Sequence, residues 1–249
     1  MKLESALHRH TLPGPALNRA AIAGLHAALD TAESNLESRL FVIEGSDGVF
    51  CTGMDFAEAT ATHLDTAADA RAPVEQLYAL FERFTASPCI VLAIVDGRVT
   101  AGGMGLVAAA DVAIATPRSS FQLSEILFGL LPATVAPFLI RRIGFQDAYR
   151  LSLTAERIDA ARAASCRLVD EVTETPADSL RRLLIRVSRT APGDIAAMKA
   201  LFRRMWIMDD TTRHTAIDAI TARITDPTVM AGIRGFVQDG GPPWRKPSA

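Results

Sequence analysis

"AGGMGLVAAAD", residues 101–111, is the stretch on which the reading of this chain turns. The adjacent glycines Gly102 and Gly103 follow an apolar run, "CIVLAIVDG" (89–97), and open an alanine-rich apolar segment. A strand that runs through glycines into a helix presents backbone N–H groups that have no acceptor one turn back. A second loop has the same construction: "GSDGVFCTGMDF" (45–56) follows "RLFVIEG" (39–45). Two N–H groups converging from separate loops make an oxyanion hole, a fixed pair of donors for a carbonyl that gains negative charge in a transition state. A single Gly-Gly also serves turns and close packing, so the expectation rests on the pair of loops.

Outward from this stretch, apolar runs alternate with amphipathic segments. "ALNRAAIAGLHAALDTAES" puts Ile22, Leu25 and Leu29 on one helical face. "APVEQLYALFERFTAS" (72–87) reads as a helix with Leu77, Leu80, Phe81 and Phe84 inward, and Pro88 ends it. "RLFVIEG", "CIVLAIVDG" and "VAIATP" read as buried strands. From Thr134 onward the chain reads as helix upon helix. Strands alternating with helices imply an α/β fold with a mainly parallel sheet and right-handed crossovers.

Composition narrows the function classes. The 249 residues are 49% hydrophobic and 22% charged, and 26 Lys and Arg stand against 28 Asp and Glu. No basic field favours nucleic acid. Cys51, Cys89 and Cys166 are odd in number and lack metal-ligand spacing, so no metal or disulfide is expected. No window suits a membrane span and the N-terminus lacks a signal peptide's apolar core, so a cytoplasmic protein without membrane contact is expected.

"FCTGMDF" resembles the first oxyanion-hole loop of the crotonase (enoyl-CoA hydratase/isomerase) superfamily, and "VDGRVTAGGMGLVAAADVAIATPRSSFQLSEILFGLLP" resembles its second loop and catalytic region. "GFQDAYRLSLTAERIDAARAASCRLVDEV" is similar to the segment that follows. The likeness spans roughly residues 16–240. It implies the crotonase fold, a spiral of ββα units with a helical C-terminal region, assembled as a homotrimer or hexamer. It divides the chain into a spiral core (1–190) and a C-terminal helical region (191–249) for oligomerisation and active-site cover. It also implies a substrate carried as a coenzyme A or acyl carrier protein thioester, with no further cofactor. By position, the oxyanion donors are the backbone N–H groups of Met54 and Gly102, and Asp111 matches a structural aspartate.

The two-glutamate hydratases of that superfamily place one acid two residues beyond the glycines and another some twenty residues later. Here those positions hold Gly105 and Glu125. "FQLSEILFGLLP" is apolar, so the Glu125 carboxyl is expected to be desolvated, with a raised pKa suited to acid–base work. Either Glu125 serves both as base and as acid, or Asp55, His63 or a substrate carboxylate supplies the second function. Asp55 is also read as a loop-stabilising residue and His63 as a solvated one.

"FCTGMDF", "AGGMGLVAAAD", "FQLSEILFGLLPATVAPFLIRRIG" and the terminal "PPW" are similar to the polyketide-biosynthesis enoyl-CoA hydratases, the PksH-like branch. That resemblance implies dehydration of a 3-hydroxy-3-methylglutaryl-type thioester on an acyl carrier protein during β-branching. Decarboxylating relatives carry a lysine after the first loop, whereas "MDFAEATATH" has none. The alternatives are a glutaconyl-thioester decarboxylase, an enoyl-CoA isomerase or hydratase, a thioester hydrolase, or a catalytically degenerate scaffold. A substrate carboxylate needs a cationic partner, for which Arg83, Arg98, Arg141, Arg142 and Lys199 are candidates. Arg141 and Arg142 also read as a solvated helix end, and Arg203, Arg204, Arg245 and Lys246 as a patch for an acidic carrier protein. Only some 15 residues precede the first helix, so the early strands of the family are expected to be shortened or absent, with His8 and His10 in a mobile terminus.

Overall fold

The computed structural model describes residues 3–61, 67–191, 193–206, 208–241 and 243–244. In chain order the elements are β1 (Leu7–Thr11), β2 (Ala16–Leu17), α1 (Arg19–Ser34), β3 (Leu40–Glu44), β4 (Val49–Cys51), β5 (Gly53–Met54), α2 (Phe56–Ala61) and α3 (Ala67–Ala86). They continue with β6 (Ile90–Val95), β7 (Arg98–Thr100), α4 (Gly102–Ala109), β8 (Val112–Ala115) and β9 (Ser120–Gln122). A 3-10 turn (Glu125–Phe128) leads to α5 (Ala136–Ile143), α6 (Phe145–Thr154), β10 (Ile158–Asp159), α7 (Ala160–Ser165) and β11 (Glu171–Val172). The chain closes with α8 (Pro176–Val187), α9 (Asp194–Met205), α10 (Asp210–Ile224) and α11 (Pro227–Asp239).

A parallel sheet ordered β1-β3-β6-β8-β11 forms the first layer. Its central strands are apolar on both faces, as a sheet covered on both sides requires. Phe41, Ile43, Val91, Ala93 and Val95 join the main core with α1, α3 and α4. Leu40, Val42, Leu92 and Ile94 face the other way, onto Leu180, Leu184 and Val187 of α8. A second sheet, β10-β9-β7-β4, and the β2–β5 pair lie beside it. Helix α4 is buried from Gly103 to Ala109, which explains why "GGMGLVAA" is apolar all round.

Two expectations are corrected here. The N-terminal segment is ordered: Leu7–Thr11 pairs in register with Leu40–Glu44 as the edge strand of the main sheet, and Ala16–Leu17 pairs with Gly53–Met54. His8 therefore sits on β1, its ring stacked on Phe41 at 5.8 Å between centroids, and burial lowers the pKa of His10. Helix α3 begins at Ala67 and passes through Pro73, which has no N–H to give to the helix ladder. The C-terminal helices pack on the main core through Ile217, Ile220, Ile224, Val229 and Ile233.

Candidate active site

The two glycine loops meet. Gly53 has φ +82°, and a Cβ there would lie 2.6 Å from Ala101 Cβ and 2.8 Å from the Gly102 nitrogen. A Cβ on Gly103 would fall 2.5 Å from the Cys51 carbonyl oxygen. Both glycines are thus needed for the strand β4–β5 to touch the start of α4. Ala101 turns the chain into α4 with φ 49° and ψ −125°, a conformation that costs a residue bearing a Cβ about 1–3 kcal/mol. Its N–H donates to the Gln122 carbonyl at 3.0 Å and its carbonyl accepts from Met104 N–H at 2.8 Å, which holds the turn. The Gly102 N–H, first of the helix, has no acceptor one turn back.

Beside this junction lies a cavity of about 520 Å³, lined by Met54, Asp55, Gly102 and Glu125 among others. Much of the wall is apolar, from Leu17, Ile22, Val74, Leu77 and Leu130, and Ile220, Ile224 and Phe236 of the C-terminal helices close one side. Glu125 begins the 3-10 turn and is only 8% exposed. Its Oε2 has no hydrogen-bond partner among the described residues. Burial among apolar groups pushes its carboxyl up to about 7, because a charge there has lost its water.

Gly105 lies outside the cavity lining. A Cβ at that position would come within 2.5 Å of Phe81 Cε2 and 3.1 Å of Val135 Cγ2. Phe81 and Val135 are buried, so the volume a side chain would need is already filled. Asp55 lines the cavity, and its Oδ1 accepts from Glu58 N–H at 3.0 Å, capping α2. His63 lies outside the described residues. Asp111 is structural in its contacts: Oδ2 accepts from Val91 N–H at 2.7 Å and pairs with Lys199 at 2.5 Å.

Of the cation candidates, Arg98 alone lines this cavity. Arg83 is paired with Asp30 and Glu33 at 2.6 and 2.9 Å. Arg141 and Arg142 are not a solvated helix end. Arg141 donates to the carbonyls of Ala108, Ala109 and Ala110, and so caps α4, while Arg142 donates to Leu168 and Ala110 and pairs with Asp170. Lys199 also donates to the Phe84 and Cys89 carbonyls. Arg203 donates to the Glu82 carbonyl and Thr85, Arg204 is exposed, and Arg245 and Lys246 lie outside the described residues. The sequence reading missed Gln122 and Arg157 in the wall; the period-two alternation of β9 and the residues before β10 carries that signal. No group of three or more His, Cys, Asp or Glu among the described residues suits a metal ion, and no described helix is long and apolar enough to cross a membrane.

The profile of the enoyl-CoA hydratase/isomerase family matches residues 5–247. Bacillaene synthase dehydratase PksH of Bacillus subtilis is 36% identical over 203 residues, covering 82% of this chain and 78% of that protein. Enoyl-CoA hydratase ACTT6 of Alternaria alternata is 28% identical over 222 residues, covering 88% of this chain and 71% of that protein. A crystal structure described as a polyketide biosynthesis enoyl-CoA hydratase (pksH) from Bacillus subtilis superposes with a TM-score of 0.86 at 32% identity, over 94% of each chain. That of an enoyl-CoA hydratase from Mycobacterium avium gives 0.79 at 31% identity, over 96% and 94%. By fold, by sequence and by the cavity at the junction of its glycine loops, this chain belongs to the enoyl-CoA hydratase/isomerase family, as a lyase of the hydratase/dehydratase type.

Proposed function

We propose that the chain dehydrates a 3-hydroxy-3-methylglutaryl-type thioester held on an acyl carrier protein, with Met54 and Gly102 N–H as oxyanion donors and Glu125 as the sole acid–base group. The observation that carries this reading is the contrast between positions 125 and 105. One holds a buried carboxyl with an unpartnered oxygen, and the other is closed by Phe81. A second carboxylate at position 105 has no room.

With the thioester carbonyl held by the two amides, negative charge can collect on its oxygen and the α-proton becomes acidic. The ionised Glu125 takes that proton, and the C–H electron pair becomes the enolate. The enolate then re-forms the carbonyl, makes the α–β double bond and expels the β-hydroxyl. Glu125 hands its proton to the departing oxygen, so water leaves and the carboxylate is restored. Because one group serves both ends, the proton and the hydroxyl leave from the same face. A pKa near 7 suits both halves of that cycle. Similarity to a bacillaene synthase dehydratase supports dehydration as the direction.

Intact-mass spectrometry of a 3-hydroxy-3-methylglutaryl-loaded carrier protein tests the reading. Loss of one water, absent with Glu125→Ala, is the expected result. Loss of carbon dioxide from the dehydrated substrate instead would identify a decarboxylase, and full activity of Glu125→Ala would overturn the mechanism.

A further inference from the structure

The second sheet has two unlike faces. Its register sets Arg98 beside Ser120, Val99 beside Phe121 and Thr100 beside Gln122, with Ile158 opposite Phe121. Side chains alternate along a strand. Val99, Phe121 and Ile158 accordingly form the buried face, while Arg98, Thr100 and Gln122 look the other way, joined by Arg157. These four line the cavity that contains Glu125. Gln122 is fixed by its Nε2, which donates to the Ala155 carbonyl at 2.7 Å, and its Oε1 accepts from Arg157 Nη2 at 3.3 Å. Arg98 makes no side-chain hydrogen bond or ion pair among the described residues, and Arg157 meets this neutral amide but no carboxylate. Two exposed guanidinium groups without an ion pair therefore share one wall of the cavity, whereas Arg83, Arg118 and Arg142 are each paired with a carboxylate.

We propose that Arg98 and Arg157 form a subsite for a carboxylate at the far end of the acyl group, and so select dicarboxylic acyl thioesters over neutral ones. This rests on the dehydratase reading for the placement of the acyl group. Thr100 is two residues before Gly102 and Arg98 four. At roughly 3.3 Å per residue this puts the Arg98 Cα some 13 Å at most from the Gly102 amide, within the combined reach of a short diacid chain and an arginine. Guanidinium groups bind carboxylates in a planar, two-pronged manner that neutral groups cannot match. A phosphate on the carrier arm presents similar oxygens. The wall nevertheless adjoins the reacting end: Gln122 precedes Glu125 by three residues, and its carbonyl holds Ala101.

Titration calorimetry with unreactive thioesters separates these cases. Wild-type protein is expected to bind glutaryl-pantetheine roughly tenfold or more tighter than its methyl ester. The ratio should narrow in Arg98→Ala and in Arg157→Ala, approach one in the double variant and be partly kept in Arg98→Lys. Thermal melting checks that the variants are folded. Equal binding of acid and ester by the wild type, or a ratio untouched in the double variant, overturns the subsite. So does an arginine-dependent preference for butyryl-phosphopantetheine over butyryl-pantetheine, which would assign these arginines to the carrier arm. Neither glutaryl ligand has a β-hydroxyl, so the preference can stand while the dehydration assay fails; that result would sink the reaction and leave the subsite.

Discussion

Two cavities in this molecule are rich in charge, and they treat it differently. One, of about 440 Å³, is lined by Asp111, Arg141, Arg142, Asp170 and Lys199, with Trp206 under Arg141. There the charges are spent inside the protein: Lys199 on Asp111, Arg142 on Asp170, Arg141 on three carbonyls at the end of α4. The other, of about 520 Å³, keeps Glu125 with an unpartnered oxygen and Arg98 without an ion pair. Burial of the Glu125 carboxyl without a partner costs stability. Charge satisfied within the fold holds the end of α4, whereas charge left over near its start is available to a substrate.

Glu125→Gln breaks this comparison most severely. With the same shape but no proton to exchange, kcat should fall about 10³-fold, read from steady-state dehydration. In the wild type, kcat/KM should rise as pH passes about 7, where the base ionises. Stability should move the opposite way. The folded carboxyl titrates near 7 rather than at its ordinary 4.5, so the folded state binds the proton more tightly than the unfolded one. Its contribution is complete below 4.5 and is lost as pH rises to about 7, on the order of 3 kcal/mol in all. Urea unfolding at pH 5 and pH 8 should show that slope in the wild type and not in the variant.

Lys199→Met tests the satisfied cavity. Removing the ammonium leaves Asp111 and two carbonyls without their partner. A loss of about 3 kcal/mol is expected from denaturant unfolding, with kcat per folded molecule unchanged. A large fall in kcat without loss of stability would mean that the two cavities are not separate in role. The smallest effect is expected at the closed acid position. Gly105→Ala should cost about 1–3 kcal/mol through its clash with Phe81, and Phe81→Leu in the same chain should recover part of it.

Local signals made much of this legible. Buried strands β3, β6 and β8 are short apolar runs between breakers, and Phe81 and Phe84 fall inward on α3 as their spacing requires. Position in the glycine pattern brought Met54, Gly102 and Glu125 to one cavity. Strand β1 was not legible, because "LHRHT" lies at a sheet edge, half exposed, with no apolar alternation to mark it. Nor was the role of Arg141, which caps a helix 31 to 33 residues earlier in the chain. The glycine at position 105 was visible, but the filling of its side-chain space by the ring of Phe81 was not, since that contact depends on how α3 and α4 cross.

The packing of Phe81 against Gly105 also shapes which enzymes lie within evolutionary reach of this one. A lineage that gained glutamate at position 105 would drive its Cβ into the Phe81 ring. Shrinking Phe81 first would open a hole in the core, at about 3–5 kcal/mol for truncation to alanine. Either order passes through a weakened ancestor, although both end points pack well. Drift therefore cannot easily place an acid at position 105, and the aromatic ring works as a latch on that position.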